Sequence, residues 1–333
     1  MIIMSVFPDP TRPMSFDEAR TAFGAMLDGA GTDEEITAFL TGLTERGEGA
    51  DEIAGAALAM RERMIRVTAP ENAIDVCGTG GDGQHTLNVS TAVALVVAAC
   101  GVPVAKHGNR AASSKAGGAD TLEALGVNLN IAPEVAEAQL ADLGICFLFA
   151  QNHHPALKRI APIRKAIGRR TIFNLLGPLA NPAGVKRQLL GIARPDYAPI
   201  YAEAMARLGT EHAMIVSGDE GLDELSIAGG NVVADIDAAS RITIRGITPQ
   251  DAGLPSHSLD EMRGGDAAFN AVALRQLLQG EHSAYRDAVL FNAAAALMVA
   301  GEAGSLQEGV EEAAEAIDKG LANALLNCWI AWK

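Results

Sequence analysis

The sequence predicts an α/β protein in which a small all-helical N-terminal domain precedes a large α/β domain with a mostly parallel central sheet flanked by helices. Three observations carry this. Residues up to about 68 show helical periodicity alone; from Ala73 onward, short apolar runs alternate with helical patterns; and 333 residues, 49% hydrophobic and 20% charged, suffice for two domains.

Taken in order, Ser15 caps a first helix. Thr32-Asp-Glu-Glu35 is a capping box leading into Ile36, Phe39, Leu40 and Leu43 at helical spacing. A third helix over 51–64 puts Ile53, Ala57, Met60 and Met64 on one face. Strand candidates follow at 73–77, 102–105, 127–129, 145–150, 188–192 and 213–216, separated by helical patterns. A helix is expected to begin near Ser90, with Ser90 or Thr91 near its N-cap. A helical stretch at 155–167 and the Gly/Pro-rich run Asn174 to Pro182 interrupt the rhythm, and the Ala-rich region 266–320 reads as helices packed on the sheet.

Composition excludes several functions. A formal net charge of −15 argues against a nucleic-acid or anionic-membrane partner. The four cysteines, at 77, 100, 146 and 328, form no C-x-x-C pair, and the first seven residues lack the charged flank of a signal peptide, so reduced thiols and a cytoplasmic location are expected. The longest apolar runs, 92–100 and 293–300, are less than half the roughly 20 residues that span a bilayer.

Two loops carry the chemical signal. The strand candidate at 73–77 opens into Gly78-Thr-Gly-Gly-Asp-Gly83, whose glycines permit positive φ and close backbone approach to a ligand, and a helix N-terminus faces that turn. Such a turn alone is equally a tight connection, and it matches neither the dinucleotide nor the P-loop spacing. The second loop holds Lys106, His107, Asn109, Arg110, Ser113, Ser114 and Lys115, followed by Gly117 and Gly118. By itself this could be a solvated basic loop; cations gathered beside a glycine loop in so acidic a chain point to a phosphorylated ligand.

Five motifs in order, Gly78-Thr-Gly-Gly-Asp82, Asn88-Val-Ser-Thr91, Lys106 to Ser114, Asn174 to Pro182 and Asp223-Glu-Leu-Ser226, resemble those of the anthranilate phosphoribosyltransferase family, with the resemblance reaching Phe291 to Leu297. It implies that the helical domain is discontinuous: residues 1–68 with a return over 155–184, and an α/β phosphoribosyl-binding domain of 69–154 and 185–333. It further implies transfer of the phosphoribosyl group of 5-phosphoribosyl 1-pyrophosphate (PRPP) to the amine of anthranilate, in tryptophan biosynthesis, by a homodimer joined through the helical domain.

The residues that the resemblance implies for PRPP are Gly78, Gly81, Asp82, Thr86, Asn88, Val89, Ser90, Thr91, Lys106, His107, Gly108, Asn109, Arg110, Ala111, Ala112, Ser113, Ser114 and Gly118. For anthranilate they are Gly78, Asn109 and Arg164. Asp223 and Glu224 are expected to bind Mg²⁺, with Ser90 on a second ion. Displacing pyrophosphate builds opposite charges on sugar and leaving group, so electrostatics and positioning should dominate. A planar guanidinium such as Arg164 suits a carboxylate, although a helix-surface ion pair fits the sequence as well. His107 is a possible helper in proton removal, beside His153 and His154.

Two departures stand out. Ala116 and Gly118 occupy positions where the family usually has serines, so one or two phosphate-directed hydroxyls are missing. The tail 323–333, with Cys328, Trp329 and Trp332, differs from the usual polar ending and carries no assigned role. Pyrimidine nucleoside phosphorolysis on the same fold and a non-catalytic phosphosugar-binding role are the alternatives.

Overall fold

The computed structural model describes residues 6–111 and 115–332, so the expectations for Ala112, Ser113 and Ser114 lie outside the described residues. Three helices come first: α1 (Phe16–Leu27), α2 (Asp33–Arg46) and α3 (Ala50–Arg61). Ser15 and Thr32 are N-caps with complete capping boxes, each side chain accepting from the backbone N–H of Glu18 or Glu35. Each cap contributes about 1 kcal/mol to starting its helix. The third helix ends at Arg61, three residues before the sequence reading had it.

The sheet begins with β1 (Ile74–Gly78), followed by α4 (Val89–Ala99), β2 (Val104–Gly108), α5 (Gly118–Leu125), α6 (Pro133–Leu143) and β3 (Ile145–Phe149). Short α7 (Ala150–His153), then α8 (Leu157–Ile167) and α9 (Phe173–Leu176), lead the chain back toward the N-terminal helices. The second half supplies β4 (Arg187–Gly191), α10 (Ala198–Arg207), β5 (His212–Gly218), β6 (Asn231–Ile236) and β7 (Ile242–Ile247). It closes with α11 (Ala267–Leu278), α12 (Ala284–Ala300), α13 (Leu306–Asp318) and α14 (Leu321–Ala331).

The seven strands run in the order β3-β2-β1-β4-β5-β6-β7. All neighbours from β3 to β5 are parallel, and β6 and β7 add antiparallel at one edge. Burial on both faces follows from alternation: Leu189, Met214 and Val216 join the core beneath α4 and α12, while Leu190, Ala213 and Ile215 face a second core with α10. That second core also takes Phe23, Ile36, Phe39 and Ile53 of α1–α3 together with Ile160, Ile163, Ile172 and Phe173, so the α8–α9 stretch shares its apolar face with the N-terminal helices.

The chain winds outward from β1 through β2 to β3, then restarts on the other side of β1 at β4. This reversal separates the crossover loops and opens a crevice at the carboxyl ends of β1 and β4, where ligands bind in open α/β sheets. The ends meet in register at Gly78 and Gly191.

Several local expectations are corrected. The run 127–129 is not a strand. Gly126 terminates α5 at φ 99°, the Val127 N–H returns to the Leu122 carbonyl, and Val127 and Leu129 enter the core without strand partners. The N-cap of α4 is Asn88 rather than Ser90 or Thr91, and it makes no side-chain cap bond. β6 and β7 were not foreseen. The tail forms α14, with Leu326 and Trp329 buried and the Trp329 indole N–H bonded to Gln139.

Candidate active site

Four strand ends deliver the site. β1 runs into the glycine loop, where Gly80, Gly81 and Gly83 hold φ of 69°, 74° and 74°. These left-handed values strain any side-chain-bearing residue. Among the described residues no acceptor meets the N–H groups of Gly81, Asp82 or Gly83, which therefore stay available to an anion. The Gly80 N–H is spent on Asp223 Oδ2 at 2.6 Å.

The Asp223-Glu224 pair follows β5 and sits over the β1–β4 junction. A β-carbon on Gly78 would stand 2.4 Å from Asp223 Oδ2, and one on Gly191 only 1.5 Å from the Asp223 carbonyl oxygen. Two paired glycines thus make room for the acid. Asn292 of α12 fixes the same turn by accepting from Leu225 N and donating to Leu225 O, both at 2.9 Å. Ser90 N donates to Glu224 Oε1 at 3.1 Å, so the start of α4 also touches the pair.

Three carboxyls crowd together at this junction. Burial, then the nearby Asp82 carboxylate, push Asp223 up to about 7. Burial and the charges of Asp223 and Asp82 push Glu224 well above its ordinary value. Glu224 Oε2 is buried with no hydrogen-bond partner, beside a cavity of about 10 Å³ lined by Ser90, Gly191, Asp223, Glu224 and Asn292. That is room for roughly one water-sized particle. Among the described residues no cluster of three or more His, Cys, Asp or Glu side chains forms a complete metal cage. Mg²⁺ needs none, since it takes one or two carboxylates and completes its shell with water and substrate oxygens. The carboxylates present fit it.

β2 supplies Lys106, buried, whose ammonium reaches the Val76 carbonyl at 2.5 Å and Ser90 Oγ at 3.2 Å. Burial lowers its pKa, opposed by the charge of Asp75. His107 donates its backbone N–H to Asp75 Oδ1, and its Nδ1 lies 3.1 Å from the Gly177 carbonyl. With a carbonyl as partner, Nδ1 must carry the proton, which leaves the buried and unpartnered Nε2 as an acceptor. Burial, with His154 next, pulls His107 down to about 3; the two rings lie 5.2 Å apart. His154 Nε2 is likewise buried and unpartnered, and burial draws His154 down to about 4.

The remaining expected residues divide. Thr91 Oγ1 is buried without a partner, and a β-carbon on Gly118 would lie 2.9 Å from it. The Asn88 amide turns inward, donating to Ala116 O and accepting from Thr121 Oγ1 and Asn270, so it braces the second loop. Arg110 pairs with Asp120 and Glu123 and lies over Phe149, which commits its charge within the protein. Asp120 also receives the N–H groups of Ala111 and Gly117 at 2.9 Å each. Asn109 Oδ1 accepts from Arg110 N, Thr86 bridges to Arg263, and Gly108 and Val89 are backbone at a strand end and a helix start. Arg164, on α8, lies over Phe173 and donates to Asn174 Oδ1 at 3.4 Å; burial lowers its pKa, and no carboxylate pairs with it among the described residues.

Asn292 was missed by sequence reasoning. Asn292 lay inside a quoted motif, but its use is a contact 67 positions away.

A sequence profile described as "Glycosyl transferase family, a/b domain" matches residues 70–323, and the corresponding helical bundle domain matches 10–64. The chain is 71% identical over 328 residues to the anthranilate phosphoribosyltransferase of Novosphingobium aromaticivorans, covering 98% of this chain and 99% of that one. The chain belongs to the anthranilate phosphoribosyltransferase family. A second member, from Sphingopyxis alaskensis, is 69% identical with 98% of each chain covered. The crystal structure of the Thermus thermophilus family member superposes with a TM-score of 0.93 at 41% identity, covering 98% of this chain and 99% of that one. The Saccharomyces cerevisiae family member, solved in complex with PRPP and Mg, gives a TM-score of 0.87 at 30% identity, with 95% and 93% covered. Among the described residues no helix is long and apolar enough to cross a membrane.

Proposed function

We propose that this chain transfers the phosphoribosyl group of PRPP to the amine of anthranilate, giving N-(5-phosphoribosyl)anthranilate and pyrophosphate in the second committed step of tryptophan biosynthesis. The observation that carries the reading is the meeting of the glycine loop, the start of α4 and the Asp223-Glu224 pair at one strand junction, in a chain full-length similar to members bearing that activity.

In the reaction the bond from C1 to the pyrophosphate oxygen breaks, its electrons leaving with pyrophosphate, and the amine lone pair forms the new C1–N bond. The free N–H groups of Gly81, Asp82 and Gly83 bind the leaving group. Asp223 and Glu224 hold one Mg²⁺ and the Ser90 hydroxyl a second. Bound Mg²⁺ supplies charge neutralisation on the pyrophosphate. Thr91 and the second loop, including Asn109 and the stretch 112–114, complete the PRPP contacts. Arg164 takes the anthranilate carboxylate as a planar guanidinium without a carboxylate of its own. The substituted amine is strongly acidic once bonded to C1, so the weak acceptor His107 Nε2 suffices for its proton.

The reading includes a division into a helical domain of residues 1–68 with 155–184 and an α/β domain of 69–154 and 185–333, supported by the apolar face that α8 and α9 share with α1–α3. It also includes a homodimer through the helical domain and a cytoplasmic location, with which four free thiols agree. Chromatographic identification of N-(5-phosphoribosyl)anthranilate together with equimolar pyrophosphate tests the reaction; pyrophosphate without the anthranilate adduct would refute it.

A further inference from the structure

Arg170 lies between α8 and α9, just past Gly168, which ends α8 at φ 67°. Its neighbour Arg169 pairs with Glu45 at the surface. Arg170 instead crosses to the glycine loop, donating from Nη2 to the Gly80 carbonyl at 2.7 Å across 90 positions of sequence. The same nitrogen lies 3.0 Å from where a β-carbon on Gly81 would be. In a chain with 41 acids and 26 Lys and Arg, this guanidinium has no carboxylate within 4.0 Å among the described residues.

The Gly80 residue is therefore held from both sides, its N–H by Asp223 and its carbonyl by Arg170. A trans peptide is planar, so its C=O and the following N–H point in opposite directions. Fixing the Gly80 carbonyl on Arg170 turns the Gly81 N–H away from the guanidinium, at the head of the row Gly81, Asp82 and Gly83 whose N–H groups meet no acceptor among the described residues. A three-glycine turn left to itself samples many φ values, and the anion would have to order it.

We propose that Arg170 is a positioning residue for the diphosphate: by holding the Gly80 carbonyl it presets the loop's N–H donors. The inference rests on the transferase reading above for the identity of the diphosphate. Arg170 acts through the loop, without touching substrate. A charge-assisted hydrogen bond is strong enough that its loss should raise the KM for PRPP about tenfold or more.

The test compares Arg170→Ala, Arg170→Lys and, as control, Arg169→Ala. Arg170→Ala is expected to raise the PRPP KM and the inhibition constant of inorganic pyrophosphate by one common factor, leaving the anthranilate KM within about twofold. Arg169→Ala leaves all three constants unchanged. Equal rises in both substrate KM values, or none in either PRPP or pyrophosphate constant, overturn the proposal. Should Arg170→Ala fail to fold, Arg170→Lys reads the same split at smaller size, and an equal rise in both KM values overturns it. Calorimetric binding of pyrophosphate with Mg²⁺ separates this inference from the activity. If the wild type binds pyrophosphate without turning over anthranilate, the transferase reading fails alone; if Arg170→Ala binds it as tightly as wild type, the positioning role fails whatever the acceptor.

Discussion

The carbonyl oxygen of Asp223 lies 1.5 Å from the position that a β-carbon on Gly191 would take, so the acid pair can rest on the sheet only because β4 ends in a bare backbone. Gly191→Ala cannot be absorbed by a side-chain rotation, since the obstructing atoms are main chain. Expected is a loss of about 3 kcal/mol of stability together with loss of Mg²⁺ response, read by thermal unfolding with and without the metal. A stable, fully responsive Gly191→Ala protein would show that the turn at Asp223 sits elsewhere.

Asp223 and Glu224 are buried beside one another and Asp82, and the charge of Lys106 offsets only part of the burial on Glu224, which costs the folded protein stability. Asp223→Asn should therefore leave the melting temperature of the metal-free protein equal to wild type or higher. Mg²⁺ with pyrophosphate at about a hundred times its Kd should add about 2.7 kcal/mol to wild type and nothing comparable to the variant. Differential scanning fluorimetry across an Mg²⁺ titration reads both halves, and equal stabilisation of the two proteins would count against the pair as the metal site.

Gly118 stands where the family usually carries a serine, and the obvious expectation is that restoring the hydroxyl improves PRPP binding. The packing argues otherwise. A β-carbon there meets Thr91 Oγ1 at 2.9 Å, and Thr91 is buried and β-branched, hence stiff at χ1. Gly118→Ser should lower stability by roughly 1 kcal/mol and leave the PRPP KM unchanged or raised. A clear fall in KM, with stability intact, would mean that the loop has slack the packing does not show.

His107 and His154 titrate near 3 and 4 in the folded protein, whereas an unfolded chain takes up these protons near 6.5. Because the folded values are depressed, the stability they contribute is complete above pH 6.5 and is lost as pH falls through 6.5 toward 3. Asp223 and Glu224, raised by burial, act with the opposite sign over part of that range, so the histidine effect is read as a difference. Calorimetry from pH 4 to 7 should show a shallower acid decline in His107→Asn than in wild type. Parallel curves would mean that His107 is already protonated when folded.

Much of this architecture was legible because it is local. Ser15 and Thr32 announce their helices through capping boxes, and the glycine loop and Lys106-His-Gly108 follow short apolar strands directly. The segment 127–129 misled because two buried apolar residues in alternation describe an unpaired extended stretch as well as a strand. β6 and β7 escaped because Asn231–Ile236 shows no strict alternation and the turn at Ser240, φ 58°, that joins it to the edge strand β7 lacks the Asn-Gly or Asp-Gly signature of a tight hairpin. Asn88, quoted as a ligand contact, spends its amide on Ala116, Thr121 and Asn270, partners that no spacing rule brings together. Arg170 and Asn292 act over 90 and 67 positions, the first on the glycine loop and the second on the turn at Leu225, contacts that only the folded chain reveals.

The most direct test follows anthranilate fluorescence in purified protein with PRPP, with and without Mg²⁺. The account predicts loss of the signal only when protein, PRPP and Mg²⁺ are all present, and its near-abolition in Glu224→Gln. Persistence of the signal at high enzyme concentration, or its loss without the metal, would contradict it.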